Sequence, residues 1–436
     1  MKATKNSGAG IFQLSILAVS AFMGAYTRTM ISPLQESIRT GLGLSDNQMA
    51  IVQGPALALP LIVFSFPLGV LIDRTTRVRL IQALLVLDAL GSFLTGWVSG
   101  FPLLCAARCL TGTAAFALNP VILSLVADRY APAKRGRAST VILLGQLGGM
   151  AIAFALGGAL LGISTAGGHT WRWACLWMAC PVAGAVLLAG VAEEPRRAFG
   201  GIEKAPVFSS LHGLWECRWA IVAPLAGIVF AEMSIGAVLV WAAPTFARRF
   251  SLAPAQIGSI MATALMVSGV LGPVVGGPLA DVAQARGGPR LTMLALTGML
   301  LLGLPTGLFG LVGSATMASG MLVAFITILG AACVIGTTLF TIVTPDRVRG
   351  LALTILTAAV VMVGNGAAPF LVSEISRRMG GEAKIGNALS LVVEATIAMA
   401  ALAFIAGRRL LSTRGGRLAA RLALIERESY AEARSD

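Results

Sequence analysis

Charge is scarce in this chain. Lys, Arg, Asp and Glu together make up 12% of its 436 residues, about half the share of a soluble domain. A water-exposed surface cannot be built from so few charges, which excludes a soluble globular enzyme and a disordered chain alike. Acid is the scarcer sign, with 19 Asp and Glu against 33 Lys and Arg and a net charge of +14. The basic residues stand in short clusters between apolar runs. No long basic block or aromatic-basic patch exists, so nucleic acid is not the expected partner. The two histidines, His169 and His212, fall in connecting segments, which speaks against a buried histidine proton relay.

Motifs of energy transduction and hydrolysis are missing too. There is no G-x-x-x-x-G-K-[ST] phosphate loop, so ATP is not the expected energy source. H-E-x-x-H and G-x-S-x-G are absent, and no nucleophile–base pair is visible. Five of the six cysteines lie in or at the edge of apolar runs, where Cys behaves as a small hydrophobe. No cysteine pair has zinc-like spacing with histidine partners. No enzyme activity, metal or cofactor is therefore expected.

Apolar residues are what the chain has, at 56%. A bilayer core about 30 Å thick needs a helix of about 20 apolar residues. Such runs cover about 11–31, 49–72, 80–98, 101–126, 138–163 and 173–192. After a polar stretch, Glu193 to Arg218, six more cover about 219–245, 256–280, 291–313, 317–343, 350–373 and 387–407. The first run is too long for the apolar core of a secretory signal and is read as a span. The expected fold is an all-α membrane protein of twelve transmembrane helices. Its expected parts are a six-helix half at 1–192, a central loop at 193–218, a second half at 219–408 and a tail at 409–436. In that tail Arg417 and Arg421, with Leu418, Leu422 and Ile425, have the spacing of a basic amphipathic helix lying on an anionic leaflet.

Loop charge orients the spans. With the N-terminus inside, cytoplasmic segments hold 24 of the 33 basic residues and outer loops seven. Both termini are then cytoplasmic, in the cell (inner) membrane.

Two segments echo each other. Gly69-Val-Leu-Ile-Asp73-Arg74, with Arg77 and Arg79, follows the second span. Gly277-Pro-Leu-Ala-Asp281, with Arg286 and Arg290, follows the eighth. Arg135-Gly136-Arg-Ala138 is matched by Arg349-Gly350-Leu-Ala352. Both pairs fall at corresponding spans, the mark of two pseudo-symmetric halves. Gly69, Asp73, Arg74, Arg77, Asp281 and Arg286 read as a cytoplasmic gate that closes and releases one face; the plainer reading is positive-inside anchoring alone.

Gly69, Leu71, Asp73, Arg74 and Arg77 match the loop G-x-L-x-D-R-x-x-R-R/K, and Arg108 with Gly112 matches R-x-x-x-G. In these the chain resembles the major facilitator superfamily over nearly its whole length. Several further segments look like Spinster-like and anion-symporter-like members: Pro33 with Gly43-Leu-Ser-Asp-Asn-Gln48; Asn119-Pro120 through Asp128-Arg-Tyr-Ala-Pro132; and Trp241-Ala-Ala-Pro244-Thr-Phe246 with Arg249. The resemblance implies a major facilitator fold with spans 1, 4, 7 and 10 around a central cavity. It implies lysolipids, sphingoid phosphates or organic acids as substrates. This chain departs at two places. Thr27 stands before Arg28 where those members carry Asp, and Thr113, Ala114 and Ala115 stand where Spinster-like members carry Glu.

An ionisable group in the bilayer costs about 2.5–3.5 kcal/mol on insertion scales, so each is a functional candidate. Arg28 suits a carboxylate or phosphate, which a guanidinium grips bidentately; the alternatives are an internal ion pair or a reach to the outer interface. Glu232, about mid-depth in the seventh span, is placed to bind a proton, an ammonium or Arg28; the alternative is a satisfied internal hydrogen bond. Asp88 and Arg108, on adjacent antiparallel spans, read as a salt bridge or as part of proton coupling. Glu394 reads as pairing locally or facing a groove. Gln53, Asn119, Gln146 and Asn365 tie helices, with Asn119 alone expected at the cavity. Trp241 caps the outer end of the cavity or anchors at the interface. Glycines of the fifth span (145, 148, 149, 157 and 158) and the eighth (269, 272, 276 and 277) are expected to let those two spans meet.

The expected function is secondary transport of an organic anion or an amphipathic anionic solute by alternating access, coupled to an ion. The expected partners are that solute and membrane lipids, and the protein is expected to be a monomer. The alternative is export of drugs or other hydrophobic compounds. A sensor that transports nothing is a further class.

Overall fold

The computed structural model describes residues 2–60, 63, 64, 71, 75–130, 132–166, 170–194, 214, 215, 217–345 and 348–410. Every regular element among them is helical. α1 is Lys2–Thr29. α2 begins at Asp46–Gln53 and runs on through 55–60. Then follow α3 (Arg77–Trp97), α4 (Phe101–Arg129), α5 (Pro132–Ala166), α6 (Trp171–Ala189) and α7 (Arg218–Phe250).

Pro254–Gly307 runs as one 54-residue stretch, far longer than a bilayer needs. It turns at Gly288, whose φ of 60° and ψ of −157° are non-helical. Glycine alone adopts such a backbone readily, and Pro289 beside it lacks the amide a helix would use. The arms 254–287 and 289–307 are therefore two spans, α8 and α9. α10 is Ala315–Val343. α11 comprises Arg349–Ala359, the π-helix Val360–Ala367 and Ala368–Arg378. α12 is Ile385–Leu410. Among the described residues ten stretches are long and apolar enough to cross a membrane. Splitting the longest and adding α2 gives the twelve spans of two repeated halves.

The described chain forms two compact units. The first holds 1–200, 239–266 and 373–385; the second holds 201–238, 267–372 and 386–436. In the first, α1 lies on α5, where Gly149 leaves no room for a Cβ against the Phe22 carbonyl. Gly24 of α1 faces Ala115 of α4, Gly91 of α3 faces Thr111 of α4, and Gly112 of α4 sits on the Leu57 carbonyl of α2. Leu85, Leu118, Val121 and Ile122 fill part of the core, and Met30, Leu34, Leu104 and Met178 another.

The second unit repeats these pairings with other residues. Gly236 of α7 meets Gly364 of α11, Gly336 of α10 meets Ile228 of α7, and Gly303 of α9 meets Leu329 of α10. Gly272 and Gly276 of α8 meet Gly330 and Ala331 of α10. The second sequence echo has its structural counterpart. Arg135 donates to the Tyr130 carbonyl (3.0 Å) and Arg349 to the Thr344 carbonyl (3.4 Å), five residues back in each case.

One packing expectation needs correction. Gly272 and Gly276 face α10, not α5, and Gly145 and Gly149 face α1. Where α5 does meet α8, the residues are Gly158 and Gly258. Period alone does not say which neighbour a small-residue face receives.

Candidate functional site

In α1, Thr27 and Arg28 form the centre of a buried polar cluster. Asp88 on α3 and Arg108 on α4 are 0% and 1% exposed. Thr27 Oγ1 donates to Asp88 Oδ2 at 2.8 Å. Arg108 donates to the carbonyls of Thr27 (3.3 Å) and Arg28 (2.8 Å). The direct Asp88–Arg108 salt bridge that the sequence suggested is absent. Both groups meet α1 instead, Asp88 at the Thr27 hydroxyl and Arg108 at the carbonyls of Thr27 and Arg28. Asp88 Oδ1 and Arg108 Nε are buried with no hydrogen-bond partner.

The Arg28 side chain leaves this cluster on another face. Its guanidinium lies over the Phe116 ring, 5.0 Å from the centroid, and Nη2 donates to Met150 Sδ at 3.8 Å. An arginine half-buried against an aromatic ring and a thioether is more weakly hydrated than one in water, and its fork remains geometrically matched to a carboxylate or phosphate. Asn119, on the same helix as Phe116, is exposed and accepts from Gln146 Nε2 at 3.0 Å. Trp241 is fully buried, so it anchors no membrane interface.

Glu232 belongs to the second unit. Cys333 Sγ of α10 donates to its Oε1 at 3.2 Å. Gly364 lies against its Cβ, inside the π-helix of α11. Single π turns are frequent at functional positions because they displace backbone groups from the helical ladder. Glu394 on α12 lies against Gly307 of α9, where its Oε1 is buried with no hydrogen-bond partner.

Of the expected gate, Gly69, Asp73 and Arg74 lie outside the described residues, as do His169, His212 and the 411–436 tail. Arg77 is buried and braced. It donates to Asp128 Oδ2 (2.6 Å), Ser124 Oγ (2.9 Å) and Glu194 Oε1 (3.2 Å), while Glu194 Oε2 accepts from the Val78 amide (2.7 Å). Asp281, the counterpart of Asp73, and Arg286 are exposed, and no ion pair among the described residues includes either.

Sequence reading counted outer-loop charges only as a minority and missed what they build. Arg248, at the end of α7, grips Asp46 with two nitrogens (both 2.7 Å) and Glu36 with two (2.6 and 3.0 Å). Arg39 adds contacts to Asp46 (3.7 Å), Glu36 (3.5 Å) and Glu382 (2.6 Å). Asn47 donates to Glu374, which also holds Arg377 and Arg378. Local sequence positions these groups. Gly43, at φ 63°, ends the short helix Gln35–Leu42 in the left-handed conformation that favours glycine. Ser45 and Gln48 form a capping box that starts α2, so Asp46 and Asn47 stand in its first turn. A signal existed: Gly43 to Gln48 is one of the segments that carried the resemblance.

Among the described residues no cluster of three or more metal-ligating side chains exists. The Major Facilitator Superfamily model matches residues 17–369.

The chain belongs to the Major Facilitator Superfamily.

Its fold is that of superfamily transporters. A bacterial homolog of the human lysosomal transporter Spinster, in an inward-facing unoccupied conformation, is similar with a TM-score of 0.74. It is 19% identical, and the match covers 96% of this chain and 98% of that one. The occupied conformation gives 0.70 at 20% identity, covering 96% and 97%. A substituted form of the nucleoside transporter NupG gives 0.72 at 13% identity, covering 91% and 99%. A triacylglyceride transporter of Mycolicibacterium hassiacum is 32% identical over 196 residues, 42% of this chain. The match spans about a third of that relative's length, 34%.

Proposed function

We propose that this superfamily transporter moves an amphipathic anionic solute, of the lysolipid or organic-acid kind, by proton-coupled alternating access. The observation that carries the reading is Arg28. A guanidinium seated on Phe116 and Met150 offers charge to an anionic head and apolar surface to a tail. Asn119 is the neutral polar contact in the same unit, and Trp241 packs behind the wall instead of touching solute. Glu232, held by Cys333 beside a π-helix, is the proton carrier of the second unit. Asp88 with Arg108 is that of the first. Asp88 also bears on the departure at Thr27: the carboxylate expected next to Arg28 on α1 is supplied by α3 through the Thr27 hydroxyl. The chain works as a monomer in the inner membrane with both termini cytoplasmic.

A second reading is transport of a neutral lipid, favoured by the relative described as a triacylglyceride transporter. Thermal stabilisation of the purified protein separates the two. A ligand at 100 times its dissociation constant adds about 2.7 kcal/mol. Lysophospholipids are expected to stabilise wild type and to lose that effect in Arg28→Gln, with triacylglycerol ineffective in both. Stabilisation by triacylglycerol that ignores Arg28→Gln moves the neutral-lipid reading to first place.

A further inference from the structure

Glu394 is a carboxyl group within a span for which the transport reading has no use. It stands nine residues into α12, about 14 Å from the helix start at a rise of about 1.5 Å per residue. Charged groups at such depth are rare and as a rule are paired. Glu394 lacks that support. Its Oε1 is buried with no hydrogen-bond partner. No ion pair among the described residues includes it. Local pairing, one of the two expectations for Glu394, is therefore not found.

The sequence explains why no cation reaches it. From Leu291 to Thr344 there is no Asp, Glu, Lys, Arg or His, so α10 and all of α9 beyond Arg290 carry no charge. On α12 itself the basic residues are Arg408 and Arg409, in the last turn. α7 meets α12 through the Ser234–Thr396 hydroxyl pair at 2.7 Å. Its titratable groups are committed or distant: Glu232 accepts from Cys333, and Arg218, Arg248 and Arg249 stand at the helix ends. All of Glu394, α9, α10 and this part of α7 belong to the second unit, apart from the last turns of α7.

What Glu394 meets is the end of α9. That helix stops at Gly307, and the turn Leu308–Gly310 follows. A Cβ on Gly307 would stand 2.5 Å from Glu394 Oε1, and one on Gly310 would stand 3.0 Å from Ser390 Oγ. Two glycines of α9 and its turn thus admit two side chains that lie one turn apart on α12. Ser390 is 1% exposed, and its hydroxyl also has no hydrogen-bond partner. Two buried, unpartnered oxygens therefore face one helix end. That end selects the form of the acid. The last carbonyls of a helix lack intrahelical amides and carry negative partial charge. They repel a carboxylate, whereas a carboxylic acid can donate its O–H to a carbonyl or to the Ser390 hydroxyl. A metal ion would also balance the charge, but hard metal cations take about six oxygens or more. One carboxyl and one hydroxyl are too short a set for that, and a proton needs a single acceptor.

We infer that Glu394 is a proton-binding site of the second unit, whose proton seats α12 on the end of α9 and whose loss loosens that contact. The site stands apart from Glu232 and is independent of which solute is carried.

Dicyclohexylcarbodiimide, an apolar reagent for protonated carboxyl groups in apolar surroundings, tests this on the full-length protein in detergent. Peptide mass spectrometry reads each carboxyl group separately. Glu394 as a whole is partly exposed, which gives the reagent access. Modification of Glu394 is expected in acid, with loss on alkalinisation and no change when sodium replaces potassium. Asp281, an exposed acid of the same unit, is expected to stay unmodified. The melting midpoint is the second readout. It is expected to fall further on alkalinisation in wild type than in Glu394→Gln, which keeps the shape of the acid and cannot ionise. An unmodified Glu394, or one no more reactive than Asp281, overturns the site. Protection by sodium at constant pH overturns the proton reading in favour of a sodium site. Melting profiles that run parallel in wild type and Glu394→Gln overturn the seating role. Glu232 is read on its own peptide, so the fate of the coupling proposed there is distinguishable from the fate of this site.

Discussion

Asp88 holds one carboxylate oxygen on Thr27 and leaves the other buried without a partner. A group so placed is easily satisfied by a proton, and Asn supplies the same shape with no charge. Asp88→Asn is expected to keep the folding stability of the wild type while losing proton-driven uptake; unchanged gradient dependence in proteoliposomes would remove Asp88 from the coupling. Arg108 is different, because its guanidinium satisfies the carbonyls of Thr27 and Arg28. Arg108→Leu leaves those buried carbonyls without that donor and should cost about 1–3 kcal/mol, read as a lowered melting midpoint. Glu232→Gln is expected to abolish gradient-driven uptake and preserve exchange, which counterflow measurements distinguish. Glycines sort by their surroundings. Gly112 has the Leu57 carbonyl where a Cβ would go, and Gly277 has nothing within 4 Å. Gly112→Ala should therefore reduce expression and melting midpoint, whereas Gly277→Ala should be neutral or add up to about 1 kcal/mol of helix propensity.

Elements are joined here by different means at different places. Within the membrane the helices meet through glycine and backbone, with no hydrophobic drive separating protein from lipid. Beyond the apolar zone the joint is electrostatic. Arg248 fastens the end of α7 to the start of α2 and to the short helix Gln35–Leu42, and Arg39 extends the tie to Glu382 between α11 and α12. Arg248 is 13% exposed at its side chain, with two donors on each carboxylate. Such charge-assisted bonds are worth about 1.5–3 kcal/mol, against about 0.2–1 for an exposed pair. A double-mutant cycle of Arg248→Ala with Glu36→Ala should give a coupling energy in the higher range. A value near zero would show a solvated pair with no fastening role. If alternating access releases this tie, Arg248→Ala should also speed labelling of a cysteine placed at Asn47 by a membrane-impermeant maleimide.

At the scale of the whole molecule, charge and topology are linked. The 24-to-7 distribution of basic residues sets an orientation that impermeant labelling can read. With the native cysteines replaced, Arg377→Cys should react from outside intact cells and Arg408→Cys only after the membrane is opened. The reverse pattern would invert the assignment. The second unit repeats the helix pairings of the first with different side chains. The halves therefore keep a common scaffold while Arg28 marks one and Glu232 the other. That asymmetry accords with the proposed separation of a solute group from a proton group.

The span count, the superfamily and the two-half plan follow from sequence because they rest on local quantities. Those are apolar run length, loop charge and short motifs that each lie within one loop. Even the Gly43–Gln48 segment was visible as a motif, and its capping role is a matter of neighbouring residues. Which partners the charged groups take was not visible. Asp88 and Arg108 looked like a pair by depth along two helices, yet each takes a different group of Thr27 on α1, Asp88 its hydroxyl and Arg108 its carbonyl. Glu36, Asp46, Arg248 and Glu382 are separated by up to 346 positions, and no periodicity connects them. Their meeting depends on how the helix ends come together in space. The approach of α12 to α9 likewise exists only because Gly407 has no Cβ to meet Met293. Run length and loop charge act within a segment, while the direction of a side chain is settled by whatever packs against it.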